Sequence, residues 1–243
     1  MAVLITGGSG RLGKELKRVF PDALAPTHEE LDITNIEKVR QYVSELNVDV
    51  VIHCASLTSI RQCEENRKFA WEVNVLGTDK LLRACTEFTD NCFFVYVSTA
   101  SVFYGDRGNY SEDDIPYPRN FYSLTKLLGE FVVKSNSQAK ALIIRTNFIS
   151  RERWPYPKAF TDRFGTYLFA ADVAAAIKEV TAKAMTGVVH ITGSRKLSMY
   201  ELAKITTPDI EPVTLAEYEG PPLTIDMSLE TIRWKKYEIG AGK

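Results

Sequence analysis

A glycine-rich turn close to the start of the chain limits the available folds more than any other feature. The run Gly7-Gly8-Ser9-Gly10-Arg11-Leu12-Gly13 follows a short apolar segment and opens a segment with helical spacing. At such a junction the first glycine permits a tight turn, the second lets the backbone approach a pyrophosphate, and the third lets the helix pack on the strand. The helix N-terminus also offers free N–H groups and partial positive charge to an anion.

This position between a strand and a helix favours dinucleotide binding over a plain glycine turn. The predicted contacts of the turn are Gly7, Ser9, Gly10, Arg11, Leu12 and Gly13.

The spacing of apolar residues predicts strands and helices that alternate along most of the chain. The predicted strands cover residues 3–6, 23–26, 48–53, 92–97, 141–145 and 188–192. The predicted helices cover residues 11–20, 34–46, 68–87, 120–134, 172–183 and 198–205, with Thr34 and Ser198 as caps of the second and the last. This alternation indicates an α/β fold with a parallel sheet covered on both faces.

The tail after Pro208 has weaker periodicity but contains apolar residues that need burial. These residues are Leu223, Ile225, Met227, Leu229, Ile232 and Trp234. We therefore predict a small C-terminal lobe packed on the main domain.

Composition excludes several classes of function. A formal net charge of -1 with scattered basic residues gives no basis for a nucleic-acid or membrane-surface partner. The N-terminus lacks the pattern of a signal peptide, and no apolar run reaches membrane-spanning length. The 4 cysteines and 3 histidines show no metal-binding spacing, so we expect no metal site. Reduced, mostly buried cysteines are typical of a cytoplasmic protein, which is the location we predict.

A second motif lies in the helix predicted over residues 120–134. Tyr122 and Lys126 are four residues apart, so a helix presents both side chains on one face. Because a nearby positive charge favours the phenolate, we expect Lys126 to lower the pKa of Tyr122 from about 10. The pair then suits proton transfer between a carbonyl and an alcohol. Such spacing alone is more often a surface pair, and the glycine turn favours the catalytic interpretation.

The residues after the second predicted strand bear on the choice of dinucleotide. An NAD-specific site places Asp or Glu there for the ribose hydroxyls, whereas this chain has Ala25-Pro26-Thr27-His28. A 2′-phosphate is then tolerated, and Arg11 or His28 can pair with it. Arg11 is equally well explained as a solvent-facing residue of the first helical turn. NADP and NAD both remain open, and the residues favour NADP.

Further motifs occur in a fixed order along nearly the whole chain. They cover residues 6–13, 30–34, 49–56, 73–78, 97–103, 110–126 and 145–146. Together they resemble the extended short-chain dehydrogenase/reductase family, and within it the nucleotide-sugar reductases of the dTDP-4-dehydrorhamnose reductase type. The resemblance implies a Rossmann-type, doubly wound parallel sheet with a small C-terminal substrate-binding lobe.

The resemblance also implies residue roles. Tyr122 would donate a proton to the developing alkoxide, Lys126 would lower the pKa of Tyr122 and bind the nicotinamide ribose, and Thr99 would polarise the carbonyl. A reduced nicotinamide would supply hydride to the C4 ketone of a nucleotide sugar. Asn74 would support Lys126 through water or backbone, and Asp32, otherwise an ordinary helix-entry acid, would contact the adenine. The matched cofactor contacts outside the glycine turn are Asp32, Ile33, Cys54, Ala55, Ser56, Asn74, Val97, Tyr122 and Lys126.

The chain departs from this family in four places, of which Ser123, where relatives often carry a glycine after the tyrosine, is a mild change. Ala100 stands where reductases carry an acid, and Gly220 stands where their C-terminal motif carries an arginine. Residues 145–171 leave little room for the helix that helps relatives close the substrate pocket. Aromatic residues in this stretch, Phe148, Trp154 and Tyr156, either stack on a nucleotide or sugar or fill the gap as core. The predicted substrate contacts are Ser101, Phe148 and Trp154.

We therefore expect an NAD(P)-binding Rossmann core over residues 1–146 and a mixed region over 147–243. The mixed region would complete the sheet at about 170–192 and form a reduced substrate-binding lobe. The expected activity is NAD(P)H-dependent reduction of a 4-keto nucleotide sugar. The alternatives are an epimerase or dehydratase that retains its cofactor, and a non-catalytic NADP-binding regulatory subunit, as some family members are. A homodimer through the helices at 68–87 and 120–134 is a further family expectation.

Overall fold

The computed structural model describes residues 2–46, 48–89 and 91–240. The strands are β1 (Val3–Thr6), β2 (Val50–His53), β3 (Phe93–Val97), β4 (Lys140–Thr146), β5 (Phe148–Ile149), β6 (Lys158–Phe160), β7 (Phe164–Gly165), β8 (Leu168–Phe169), β9 (Gly187–Ile191), β10 (Leu197–Ser198), β11 (Glu211–Val213) and β12 (Asp226–Met227). The helices are α1 (Arg11–Val19), α2 (Ile36–Ser44), α3 (Ile60–Glu65), α4 (Arg67–Trp71), α5 (Gly77–Phe88), α6 (Phe121–Ser135), α7 (Ala170–Ala182) and α8 (Met199–Lys204). Within these ranges, no helix combines the length and the apolar character needed to cross a membrane.

The central sheet contains five parallel strands in the order β1-β2-β3-β4-β9. Helices α1 and α7 pack their apolar sides on one face, and α2, α5 and α6 pack theirs on the other. The continuous apolar runs of the strands follow from this double coverage, because both faces of each strand are buried. The predicted α/β fold with a doubly covered parallel sheet is confirmed.

The carboxyl end of β1 is the switch point of the sheet. The segment after α1 lies on one side of β1, where the Leu24 N–H donates to the Val3 carbonyl at 2.8 Å. The chain then crosses back through α2 to β2 on the other side. Ligands of open α/β sheets bind in the crevice at such a point, and the glycine turn lies there.

Two sequence predictions near this edge are wrong in detail. The strand predicted over 23–26 is reduced to a single bridge between Leu4 and Leu24, because Pro26 has no N–H with which to extend the ladder. The cap of α2 is Asn35, whose side-chain oxygen accepts hydrogen bonds from two backbone N–H groups at 3.0 and 3.1 Å. Thr34 does not cap the helix, since its hydroxyl donates to Asp32 at 2.7 Å.

The helix predicted over 68–87 is helical throughout but irregular in its middle. A π-helical turn, Glu72–Leu76, separates α4 from α5. Such turns widen a helix locally and are frequent at functional sites. This turn carries Asn74, which is buried.

Residues 147–230 contribute α7 and β9 to the main body and otherwise form short strands and the helix α8. β5 pairs with β8, β6 pairs with β11, and β7 lies between β10 and β12. An apolar cluster joins this layer to the segment after β3, since Tyr167 and Met227 pack in one group with Phe103 and Leu127.

Only some of the apolar residues in the tail are buried against this layer. Met227 and Leu229 are buried, whereas Ile225 and Ile232 are 38% and 60% exposed, so the prediction that they are buried is wrong. Leu223 and Trp234 are half-buried.

Candidate functional site

The glycine turn is shaped to admit a ligand against its backbone. Gly7 has a φ of 72°, in the left-handed region that glycine adopts without strain. A Cβ at Gly7 would lie 2.7 Å from the Ala55 amide nitrogen, and a Cβ at Gly13 would overlap the Gly7 carbonyl oxygen. Gly10 is the N-cap residue of α1, and no side chain among the described residues caps this helix end. The close backbone approach and the uncapped helix N-terminus fit a dinucleotide pyrophosphate.

The other residues of the turn divide by exposure. Leu12 is buried in the core, whereas Ser9 and Arg11 are exposed. The carboxylate of Glu30 reaches back and accepts a hydrogen bond from the Thr27 backbone N–H at 2.7 Å. An acidic group therefore lies beside the segment 25–28, although that segment itself contains none.

Asp32 and Ile33, two of the predicted cofactor contacts, lie in the loop before α2. The Asp32 carboxylate accepts hydrogen bonds from the Thr34 N–H at 2.9 Å and the Thr34 hydroxyl at 2.7 Å. Partial burial raises the pKa of Asp32, but these hydrogen bonds outweigh that effect and lower it. Ile33 is buried against the start of α5, where a Cβ on Gly77 would lie 2.9 Å from the Ile33 Cδ1 atom.

The segment after β2 is fixed by the buried Asn74. The Asn74 amide accepts from the Ser56 hydroxyl at 2.9 Å and the Leu57 N–H at 2.8 Å, and it donates to the Leu57 carbonyl at 3.0 Å. It also donates to the Thr125 hydroxyl on α6 at 2.9 Å. Asn74 therefore ties the strand-end segment to the residue beside Lys126, and its support of Lys126 through water or backbone stays a prediction.

Thr99 is the second residue after β3 and caps a short 3-10 turn. Val97, at the end of that strand, is 8% exposed. The Thr99 hydroxyl accepts from the Ser101 N–H at 3.2 Å and lies 3.0 Å from the Ser101 hydroxyl. The Ser123 hydroxyl of α6 donates to the Ser101 hydroxyl at 3.0 Å. Ser101 is buried, so it links the strand end to the helix that carries Tyr122 and Lys126.

Tyr122 and Lys126 lie one turn apart on α6, whose first turn is capped by Asn120 through the Ser123 N–H at 2.9 Å. Burial raises the pKa of Tyr122, the Cys63 thiol adds to this, and a hydrogen bond with Thr99 opposes it. The direction is opposite to the expected lowering by Lys126. The physical reason is that desolvation of the phenol outweighs stabilisation of the phenolate.

Lys126 is itself buried, at 3% exposure. Its ammonium lies 4.1 Å from the centroid of the Tyr96 ring, a cation–π contact. Burial lowers the pKa of Lys126 to about 8, while Cys54 and Glu130 oppose that shift. Burial likewise raises the pKa of the Cys54 thiol to about 12, which Lys126 opposes. Lys126 is therefore a cation held in an apolar environment beside the strand-end segment.

The predicted substrate residues other than Ser101 lie in the short-strand layer. Phe148 is half-buried and packs on the main core cluster. Trp154 is half-buried between two smaller apolar clusters, and its indole N–H donates to the Lys158 carbonyl at 3.2 Å. Tyr156 is 62% exposed and contacts the Trp154 ring edge. These contacts support the core interpretation of Trp154, and its substrate role stays a prediction.

Sequence reasoning missed a buried ion pair behind the site. The Glu130 carboxylate accepts from Arg145 Nε at 2.9 Å, from Arg145 Nη2 at 2.7 Å and from the Ser98 hydroxyl at 2.6 Å. Two signals were available: an arginine ending an apolar strand, and a glutamate four residues after Lys126 on the same helix face.

Comparison with known proteins gives a consistent result over most of the chain. The family model described as RmlD substrate binding domain matches residues 1–219. A dTDP-4-dehydrorhamnose reductase of Aggregatibacter actinomycetemcomitans is 30% identical, over 83% of this chain and 76% of that protein. Methionine adenosyltransferase 2 subunit beta of Xenopus tropicalis is 24% identical, over 98% of this chain and 82% of that protein. The crystal structure of dTDP-4-dehydrorhamnose reductase from Bacillus anthracis in complex with NADP has a TM-score of 0.86 and 27% identity, and covers 94% of this chain and 90% of that one.

Proposed function

The chain belongs to the RmlD substrate binding domain family, and we propose that it catalyses the NAD(P)H-dependent reduction of the C4 ketone of a nucleotide sugar. The observation that carries the proposal is the meeting of two groups of residues at one sheet edge. Ala55 lies against the glycine turn, and its neighbour Cys54 is close enough to Lys126 for the ammonium to oppose the rise in the Cys54 pKa. A dinucleotide held at the turn is thus directed towards the catalytic residues.

The residues of the turn, with Cys54, Ala55 and Ser56, would hold the cofactor. When bound, the reduced nicotinamide supplies the hydride. Thr99 donates a hydrogen bond to the substrate carbonyl oxygen and stabilises charge as it develops there. Tyr122 gives its phenolic proton to the same oxygen, and its raised pKa keeps the phenol protonated before the reaction. Lys126 supplies a positive charge near the site.

The experiment is to monitor NADPH and NADH oxidation by the purified full chain with dTDP-linked 4-keto-6-deoxyhexoses. Turnover that requires the keto sugar supports the reductase. Cofactor that remains bound through purification, together with sugar conversion and no net oxidation, would instead support the epimerase or dehydratase. No conversion of any keto sugar would reject all of these activities.

A second candidate function is a non-catalytic NADP-binding subunit of a larger enzyme. It is favoured by the full-length similarity to methionine adenosyltransferase 2 subunit beta and by Ala100, which replaces the acid of the reductases. Stable co-purification with a partner enzyme, NADP binding and no keto-sugar turnover would establish it. The retained Thr99, Tyr122 and Lys126 favour the reductase.

We infer NADP(H) as the preferred cofactor, in line with the NADP complex of the Bacillus anthracis relative. The support within this chain is Arg11, an exposed cation in the first turn of α1. Arg11 would attract the 2′-phosphate of NADP(H), whereas the nearby carboxylate of Glu30 would repel it. Direct titration with NADPH and NADH measures the preference.

The homodimer also stays a proposal. Its support is an open groove of about 910 Å³ between α5 and α6. Exposed apolar side chains, among them Trp71 at 38% and Phe131 at 54%, lie along it. Light scattering that detects only monomer would reject the homodimer.

The cytoplasmic location also stays a prediction, and cell fractionation tests it.

A further inference from the structure

The cluster of Ser98, Glu130 and Arg145 connects the two elements that carry the catalytic residues. Ser98 immediately precedes Thr99 at the end of β3, and Glu130 follows Lys126 by one turn of α6. The Ser98 hydroxyl donates to Glu130 at 2.6 Å, so a hydrogen bond joins the strand end to the helix. Arg145 on β4 holds the carboxylate through two further hydrogen bonds of 2.9 and 2.7 Å.

The cluster is fully inside the protein. Glu130 is 0% exposed and Arg145 is 2% exposed. The Arg145 guanidinium lies 5.0 Å from the Phe103 ring centroid, and its Nη1 atom has no hydrogen-bond partner among the described residues. A buried ion pair of this kind is rarely kept for stability alone, since apolar replacements of similar volume are often as stable.

The balance of charges around Lys126 explains why a carboxylate is buried in this cluster. Lys126 and Arg145 are two cations in the interior, and Glu130 is the carboxylate that interacts with both. The groups that act on Lys126 electrostatically or through its ring contact are Cys54 and His53 from the end of β2, Tyr96 from β3 and Glu130 from α6. The groups that face Glu130 are Ser98 and Tyr96 from β3, Lys134 and Lys126 from α6, Arg145 from β4 and His190 from β9.

We propose that Glu130 is a positioning residue that sets the placement of Thr99 relative to Tyr122 and supplies the negative charge that keeps Lys126 a cation. It touches neither substrate nor cofactor and acts through Ser98 and Lys126. The inference rests on the proposed function, because positioning matters only where these residues react.

The first test is a titration of the Lys126 side chain by NMR of lysine-labelled protein, with the signal assigned by Lys126→Met. In Glu130→Gln, which keeps the shape and removes the charge, the pKa of Lys126 falls by about one unit. In the double variant Glu130→Leu with Arg145→Met, which removes the ion pair as a whole, the pKa of Lys126 also falls, because Arg145 is not among the groups that act on Lys126. Glu112→Gln is the control, because Glu112 is a half-buried carboxylate that accepts a hydrogen bond from the His190 N–H of β9 at 2.9 Å and is not among the groups that act on Lys126.

The second test separates position from charge. Ser98→Ala breaks the link to the strand end and leaves all charges, so kcat falls about tenfold while the Lys126 titration is unchanged. The double variant loses kcat to a similar extent, and the alkaline limb of its pH profile moves to lower pH because Glu130 is absent. The limb moves to lower pH in Glu130→Gln, because Lys126 then loses its proton at lower pH.

Two results would overturn the proposal. One is an unchanged Lys126 titration in folded Glu130→Gln, and the other is wild-type kcat in both Ser98→Ala and the double variant. If Glu130→Gln does not fold, the double variant decides, since full kcat there rejects the role of Glu130. Failure of the wild type to turn over keto sugars would count against the proposed function, whereas the NMR titration needs no turnover and tests the charge role separately.

Discussion

The catalytic edge of the central sheet and the short-strand layer of residues 147–230 are built differently. At the edge, the functional side chains follow strands of 4 and 5 residues or lie on a helix of 15 residues. In the layer, β5 to β8 have two or three residues each. At the edge, hydrogen bonds between distant segments fix the polar groups, as Asn74 does between Leu57 and Thr125.

This difference indicates a division of roles. The edge is held by a core on both faces of the sheet, so the reaction type depends on the part of the chain that is hardest to change. The layer is held by small apolar clusters and single hydrogen bonds. One example is the hydrogen bond from the Trp154 backbone N–H to the Thr207 hydroxyl at 2.7 Å. We expect substrate choice to depend on this layer. The following variants test the division, beginning with the largest expected effect.

Tyr122→Phe removes the proposed proton donor and tests the edge directly. We expect kcat to fall by about 10²- to 10⁴-fold, the usual contribution of a positioned acid, with NADPH affinity nearly unchanged. Stopped-flow reduction assays and cofactor titration measure the two quantities. Tyr117→Phe, at a tyrosine that is 67% exposed, is the control. A Tyr122→Phe variant with wild-type turnover would place the chemistry elsewhere.

Lys126→Met tests the energetic cost of the buried cation. The folded-state pKa of about 8 lies below the ordinary 10.5, so the unfolded chain binds more protons between these values and stability rises with pH across them. Below about pH 8 the penalty is fully present, at about 3 kcal/mol. We therefore expect Lys126→Met to be more stable than the wild type by about this amount at pH 7, although it is inactive.

Urea denaturation measured from pH 7 to 10 should show this advantage shrink as the pH rises. Lys17→Met, at an exposed position of α1, is the control and should change stability little. A destabilised Lys126→Met at pH 7 would mean that the cation–π contact with Tyr96 outweighs desolvation.

Trp154→Ala tests whether the layer uses this side chain as core or as a substrate contact. From its packing, we expect a loss of about 2 kcal/mol in the free energy of unfolding and a change of less than about threefold in the KM of the keto sugar. Tyr156→Ala, at the exposed neighbouring ring, should change stability by less than about 1 kcal/mol. A large rise in KM with unchanged stability would support stacking on the substrate.

Arg11→Ala has the smallest expected effect and sharpens the choice of cofactor. Loss of an exposed charge pair should weaken NADPH binding by about fivefold and leave NADH binding unchanged. Lys14→Ala, an exposed cation further along α1, is the matched control. Equal losses for both dinucleotides would show that Arg11 does not select the 2′-phosphate.

Much of the edge could be predicted because its signals are local. Glycine spacing, the four-residue step from Tyr122 to Lys126 and the alternation of elements each depend on neighbours in the chain. The sequence does not identify the cap of α2, because Thr34 and Asn35 are both good caps and only the hydrogen bond from Thr34 to Asp32 distinguishes them. The apolar residues before Pro26 likewise predict a strand over 23–26. Only the bridge at Leu24 forms, because the ladder cannot continue past Pro26.

The class of fold follows from the amino-acid sequence alone, and the glycine turn and the Tyr122–Lys126 step are visible there as predictions, because these features depend on local conformation and on periodic burial. Only the tertiary structure decided how the catalytic groups titrate. Tyr122 and Lys126 are adjacent on one helix face, yet burial acts on both pKa values more strongly than their proximity. It also decided that Glu130 faces Ser98 and Arg145 across three elements, because contacts between distant segments exist only once the sheet and its helices have packed.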